Sequence, residues 1–219
     1  MIKIMTLSLF LFFYNFAFSQ TDHKLFFENG KIKEYGKVDK KGDKIDEWRE
    51  YYDNDQLFCI GKYKDSEATD EWKYYYETGT LAKIGKYKNG IAIGEWKSFH
   101  KNGSIESIGY YKSGKKFGQW QYYFENEDYP NETIKANGLL KEIGVYDNDN
   151  RDGEWKFYHK SGNLYAIIQY ENDHIKDGEY KIFHSNGKIE GVGKFKNGIL
   201  TGLWKHYDEE GNFIKSEKH

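Results

Sequence analysis

The 219-residue chain has one cysteine, one proline and two methionines. A lone cysteine, Cys59, closes no internal disulfide, so the fold stands without covalent staples; Cys59 reads as a half-buried strand residue rather than a reactive thiol. Leu, Ile and Val are sparse beside 19% aromatic and 31% charged residues, which excludes one large aliphatic core. Neither charge sign is in excess: 33 basic side chains stand against 35 acidic ones, for a formal charge of −2. A nucleic-acid binder working by electrostatics would carry a basic surplus or stripe. Outside the first nineteen residues no stretch keeps an uninterrupted helical period. No G-x-S-x-G, H-E-x-x-H or P-loop pattern occurs, and no nucleophile, base and orienting group are set together, so an enzyme is not expected.

The first residues differ in kind. MIKIMTLSLFLFFYNFAFSQ has an early Lys3, an apolar run from Met5 to Phe18 and a small-x-small site at Ala17-Phe18-Ser19. It reads as a secretory signal peptide over 1–19, followed by a mature N-terminal segment, 20–25. The run is short for crossing ~30 Å of hydrocarbon, and no stop-transfer cluster follows it. The expected destination is the periplasm, the cell envelope or the exterior, with no transmembrane segment after cleavage.

What is abundant is aromatic residues in a repeat. Tryptophans fall at 48, 72, 96, 120, 155 and 204, with the first three intervals 24 residues each. Tyr180 fills the missing place. The long interval from Trp120 to Trp155 holds an insertion near 126–136 with the only proline, Pro130. The anchors are therefore Trp48, Trp72, Trp96, Trp120, Trp155, Tyr180 and Trp204. Three residues after each comes Tyr51, Tyr75, Phe99, Tyr123, Tyr158, Phe183 or Tyr207. A turn glycine, an aliphatic residue and a Gly-x-aromatic step follow in phase, as in Gly79, Leu81 and Gly85-Lys86-Tyr87. Gly returns two residues before most anchors.

Segments of six to eight residues bounded by Asn-Gly or Ser-Gly signals predict strands joined by tight hairpin turns. The expected fold is all-β: an elongated, twisted antiparallel β-meander of about seven tandem ~24-residue hairpin repeats over 26–215, with a charged tail at 216–219. A β-solenoid, with parallel coils, is the competing architecture. In the second strand, large apolar residues recur every third position (Leu81, Ile84, Tyr87), where a plain strand alternates by two. This predicts a bulge near the glycine of the Gly-x-aromatic step.

The pattern Gly-x-Trp-x-x-Tyr…Gly-x-Leu…Gly-x-Tyr…Gly resembles the MORN repeat variant of YwqK-type antitoxins and of many secreted bacterial proteins. The resemblance implies stacked β-hairpins with a binding or scaffolding role. Asp46 and Asp70 replace the glycine before the first two anchors, and Tyr180 replaces a tryptophan. An export signal also sets this chain apart from an antitoxin acting in the cytosol.

Because the same ring types recur in every unit, the Trp and first Tyr columns read as architecture. The position four after each anchor stays bulky but varies: Tyr52, Tyr76, His100, Phe124, His159 and His184. It is the candidate interaction surface. His100, His159 and His184 resemble a metal ladder, but Zn needs three or four ligands around one ion. DNDNRDGE (147–154) resembles a calcium loop through Asp147, Asp149 and Asp152, but Arg151, Asp152 and Tyr158 stand where ligand, glycine and glutamate belong. No metal or cofactor is therefore expected. The function expected is an exported scaffold for protein–protein interaction, with an antitoxin- or immunity-like role as a special case. A glycan- or envelope-binding module using exposed aromatics is the alternative.

Overall fold

The computed structural model describes residues 20–125 and 138–219. The expected signal peptide and the insertion lie outside the described residues. In chain order the strands are β1 (Thr21–Phe26), β2 (Ile32–Val38), β3 (Lys44–Tyr51), β4 (Leu57–Lys64), β5 (Glu67–Tyr75), β6 (Leu81–Lys88), β7 (Ile91–Phe99), β8 (Ile105–Lys112) and β9 (Lys115–Tyr123). After the insertion come β10 (Leu140–Asp147), β11 (Asn150–Tyr158), β12 (Leu164–Glu171), β13 (His174–Ile175), β14 (Gly178–Phe183), β15 (Ile189–Lys196), β16 (Ile199–Tyr207) and β17 (Phe213–Lys218). They form one 17-stranded open sheet. Every pairing is antiparallel and follows chain order, with β14 joining β12 past the short β13. The meander is thus the architecture, and the parallel coils of a solenoid are not. The sheet extends beyond the expected array at both ends. β1 takes up the N-terminal segment, and β17 takes in Ser216–Lys218 of the expected tail. His23 pairs with Gly36 as Trp48 pairs with Gly61, so a histidine fills one more anchor place, 5.3 Å from the Trp48 ring.

Local backbone chemistry explains the turns. At one edge of the sheet, two-residue turns such as Asn89-Gly90 hold φ of 50° and 71°, the all-positive pair that matches strand twist. At Asn148-Asp149 and Asn172-Asp173 the same geometry is held without glycine, since Asn and Asp tolerate the left-handed region best after glycine. Asp46 and Asp70, at φ 58° and 59°, likewise adopt the conformation of Gly94 and Gly118 at 68° and 70°.

The core rests on one contact repeated along the sheet. At the glycine of the Gly-x-aromatic step the register skips: Ile60 faces Lys73 and Lys62 faces Thr69, so Asp70, Glu71 and Trp72 lie opposite Gly61. The indole then lies flat on the glycine. A Cβ added to Gly61, Gly85 or Gly109 would sit 2.1, 2.0 or 2.0 Å from the next anchor's Cδ2, a distance no packing tolerates. The indole N–H of Trp72, Trp120 and Trp155 donates to the carbonyl of the residue after the glycine, at 3.2, 3.2 and 3.1 Å. A second, one-residue bulge lies at the other strand end, where Tyr74 faces Lys83 but Tyr75 faces Leu81. Two bulges, rather than the one expected, place Leu81, Ile84 and Tyr87 three apart.

The tryptophans alternate with tyrosines in an edge-to-face row from Trp48 through Tyr63, Trp72 and onward to Tyr170. Centroids are 5.0–6.4 Å apart and planes 73–86°. Such pairs contribute about 0.5–1.5 kcal/mol each beyond burial. Lysine and arginine stems cover the row: Lys44, Lys116 and Arg151 place their cations 4.0, 4.5 and 4.3 Å from the Trp48, Trp120 and Trp155 rings. A single layer thereby buries its indoles, Trp155 completely.

The sixth repeat breaks the rule in a coupled way. Ile168 stands where the glycine belongs, opposite Trp155, and the ring due to lie on it is Tyr180. A phenol needs less room than an indole. Its single hydroxyl proton is shared between the Lys176 carbonyl at 2.8 Å and, more weakly, the Gln169 carbonyl at 3.2 Å, the acceptor an indole would use. The strand is split into β13 and β14, and β12 meets β14 only at Ala166 and Ile182.

Two outcomes are expected. Gly85→Ile lowers stability by more than about 3 kcal/mol, and Trp96→Tyr in the same chain restores part of it; a denaturant double-mutant cycle should give a coupling of about 1 kcal/mol or more, whereas additive losses would mean that the ring does not rest on the glycine. In hydrogen exchange, amides of 167–169 and 178–181 lose protection before those of 84–86 and 93–97, because the sixth-repeat seam has the fewest strand pairings.

Candidate interaction surface

Tyr52, Tyr76, His100, Phe124, His159 and His184 follow the anchor strands directly, so the hairpin repeat sets them in a row along the long-loop edge. All are half-buried. The Tyr52 and Tyr76 hydroxyls donate to the carbonyls of Tyr75 and Phe99 at 2.8 and 2.7 Å. Nε2 of His100, His159 and His184 lies 3.2, 2.6 and 2.8 Å from the carbonyls of Tyr123, Phe183 and Tyr207. A carbonyl only accepts, so Nε2 carries the proton in each. Phe124 has no polar group to give, and its amide donates to Leu139. Each polar member therefore clamps its repeat to the next one, past the intervening strand.

The loops beneath the row repeat the device. Asn54, Asn163 and Asn186 donate through Nδ2 to the carbonyls of Glu77, Ser185 and Glu209. At the opposite edge, Asp149 and Asp173 accept from the backbone of Lys116 and Arg151. The calcium-like Asp149 thus does what Asp173 does one repeat later. Among the described residues no group of three or more His, Cys, Asp or Glu is placed to hold a metal ion. Cys59 is buried in the sheet, at the register held by Ser107 and Ala166 in later repeats.

The face turned away from the indoles shows what the sequence did not. There Glu and a cation two residues on form ion pairs in repeat after repeat: Glu47 with Arg49, and Glu71–Lys73, Glu95–Lys97, Glu154–Lys156 and Glu179–Lys181 at 3.1–3.7 Å. These exposed pairs stabilise little but keep the face charged. In the fourth repeat Gln119 and Gln121 replace them. Beside these, Tyr110 pairs across the strands with Glu95 on one side and Phe117 on the other, and Val145 with Gln119. Tyr110, Phe117 and Val145 are 51, 41 and 42% exposed. The ion pairs are thus interrupted in the fourth repeat by three exposed, largely apolar side chains, of which Tyr110 donates its hydroxyl to Glu95 at 3.4 Å and Phe117 lies 4.6 Å from the Lys112 ammonium. The seventh repeat also lacks the pair, with exposed Leu203 in the glutamate place. The fourth-repeat patch was legible as a departure from the repeat consensus, once strand register showed that these residues share a face. Two open grooves of about 610 and 680 Å³ flank the sixth-repeat seam and share Lys176 and Asp177.

Fold and surface together define a tandem β-hairpin repeat protein. Residues 47–65, 71–89, 93–113, 151–172 and 176–197 match the family description MORN repeat variant, and the chain belongs to that repeat family. The Trp120 and Trp204 units fall outside the matched segments but share their geometry. A comparison with curated proteins gives no match. Among solved structures, the chain is similar at 10% identity and TM-score 0.22 to one described as "Crystal Structure of TcdB2-TccC3-Cdc42", with 92% of this chain and 14% of that chain covered. A second, "TcdB2-TccC3 without hypervariable C-terminal region", overlaps at 10% identity and TM-score 0.21, covering 89% of this chain and 14% of that one. The chain therefore spans about one seventh of those proteins, and superpositions this loose carry no functional information.

Burial, aided by the charge of Glu50, pushes the Cys59 thiol up to about 12. Burial likewise raises the Tyr63 and Tyr111 phenols. These groups stay neutral in the folded state and ionise earlier in the unfolded one. Stability is therefore full below about pH 8 and falls as the pH climbs toward the folded values. Urea midpoints measured from about pH 8 to 11 should decline steadily, and Cys59→Ser should flatten the first part of the decline. A midpoint independent of pH there would contradict the burial of these groups.

Proposed function

We propose that this chain is a non-enzymatic, exported scaffold whose sheet binds a protein partner. The observation that carries this reading is the Tyr110–Phe117–Val145 patch. Repetition accounts for the indoles, the ring row, the histidine clamps and the turn carboxylates, all of which serve inter-repeat packing. It does not account for two exposed rings and a valine clustered in the fourth repeat, where the first, second, third, fifth and sixth repeats keep ion pairs. The Lys112 ammonium over Phe117 and the Tyr110–Glu95 hydrogen bond give the patch a polar margin. Isolated exposed apolar residues need no explanation, but a clustered set on a rigid face marks a contact surface. Tyr and Phe are also residue types enriched at binding hot spots or interfaces. Repeat arrays bind in this manner, through an extended surface built from nearest-neighbour packing. Residues 1–19 supply the basis for export, to the periplasm, envelope or exterior. An immunity- or antitoxin-like role is one form such partner binding takes.

Glycan binding would need rings open to solvent. The indoles lie under cations and tyrosines, which leaves that reading to Tyr110, Phe117 and the few other exposed rings.

Affinity capture from the native envelope fraction tests the proposal. A protein retained by the wild-type chain should be lost, at least tenfold, with Tyr110→Glu/Val145→Glu, while the far-ultraviolet spectrum and melting point hold. Equal retention by both chains, or retention of polysaccharide instead of protein, would refute it.

A further inference from the structure

A groove of about 510 Å³ opens between the first two hairpins at the long-loop edge. Its aromatic lining includes Phe27, Tyr52 and Phe58, and its acidic lining Glu50, Asp53 and Glu77. Tyr52 and Phe58 meet edge to face, with centroids 5.2 Å apart, so the two rings form one fixed wall. Phe58 is exposed and sits at the one-residue bulge, where the later repeats carry Ala82, Glu106 and Tyr165. Glu50 stands two after its anchor, where later repeats hold Tyr74, Ser98, Tyr122 and Phe157. Among the described residues, ring wall and carboxylates thus coincide only here, and duplication does not explain them.

The electrostatics choose the occupant. A fourth carboxylate in the lining, Glu34, is neutralised: Lys44 pairs with it at 3.0 Å and His23 lies at 3.0 Å on its other oxygen. The carboxylates of Glu50, Asp53 and Glu77 make no ion pair among the described residues; the nearby Lys31 ammonium is spent on the Asp53 carbonyl at 2.9 Å and on Asp55 at 3.0 Å. The one lysine in the lining, Lys33, holds its ammonium 5.8 Å from the Phe27 ring centroid, which leaves Tyr52 and Phe58 uncovered. The negative field is felt within the groove: burial first and the Glu77 charge next raise the Tyr52 phenol above its ordinary value. An aromatic wall attracts a cation through its ring faces, and more strongly once water is excluded. Carboxylates beside it supply charge-assisted hydrogen bonds.

We infer that this groove receives a lysine or arginine side chain presented by the protein partner, between the Tyr52–Phe58 wall and the carboxylates of Glu50, Asp53 and Glu77. The inference rests on the reading of the chain as a protein-binding scaffold. It uses residues remote in sequence from the Tyr110 patch, so each can fail alone.

The test titrates the full chain with capped pentapeptides Gly-Arg-Gly-Arg-Gly, Gly-Lys-Gly-Lys-Gly and Gly-Glu-Gly-Glu-Gly, followed by amide chemical shifts. Saturable shifts at residues 50–58 and 77 are expected with the arginine or lysine peptide, and none with the glutamate peptide. Arginine binding tighter than lysine would indicate bidentate recognition, and the reverse a simple ammonium contact; both support the groove. Glu50→Gln/Glu77→Gln should weaken binding at least tenfold, and Phe58→Ala should weaken it as well. Glu95→Gln/Glu154→Gln removes the same charge from the other face and should leave it unchanged. Equal weakening by that control, shifts spread over the sheet, or no saturation would overturn the inference. If the envelope protein is still captured by Glu50→Gln/Glu77→Gln and Phe58→Ala while the peptides fail, the scaffold reading stands and the groove does not.

Discussion

An indole lying on a bare glycine backbone is the contact from which the rest of the structure follows. A single-layer sheet has no second layer to cover its apolar face, so large rings must be buried by lying flat. Lying flat requires a strand with no Cβ beneath, and a bulge that brings the ring over it. The bulge leaves a carbonyl for the indole N–H, and the left-handed residue two before the ring turns the strand back into register. Tyrosine edges and cationic stems then close the sides and top. The sixth repeat shows the same constraint from the other side. With Ile168 in the glycine's place, the following anchor is the smaller ring of Tyr180, and strand pairing is reduced around it.

This economy governs where function can reside. Tyrosine hydroxyls, imidazoles and turn carboxylates that look like chemistry are taken up in clamping one hairpin to the next. A scaffold of this type holds its surface rigid without disulfides or a thick core, because each repeat is tied to its neighbours through backbone carbonyls. On the proposed reading, partner recognition falls to positions where the repeat departs from itself, such as the Tyr110 patch of the fourth repeat. The MORN repeat variant family supplies the frame, and the departures supply individuality.

Much of the frame was legible. The 24-residue spacing of tryptophans, the Asn-Gly and Ser-Gly turns and the three-residue period around Gly85 all state local backbone requirements, and local requirements are written in adjacent residues. His23 was not legible as an anchor, because its ring type differs and only pairing with Gly36 reveals its place. Nor was the second bulge, which is a matter of register between Tyr75 and Leu81. For the six residues of the candidate row, their alignment along one edge was legible. The bonding of five of them to carbonyls a repeat away was not, because it depends on how closely strands separated by a third approach.

The sequence by itself determined the unit: two strands, two turns, a ring and the glycine beneath it, copied in tandem. Those demands act within a few residues, through positive φ, strand length and the absence of a Cβ. Only the tertiary structure decided which side chains share a face, which polar groups are already bonded, and where ring walls meet unpaired carboxylates. Cross-strand register and burial join residues tens of positions apart, and no local pattern encodes that distance.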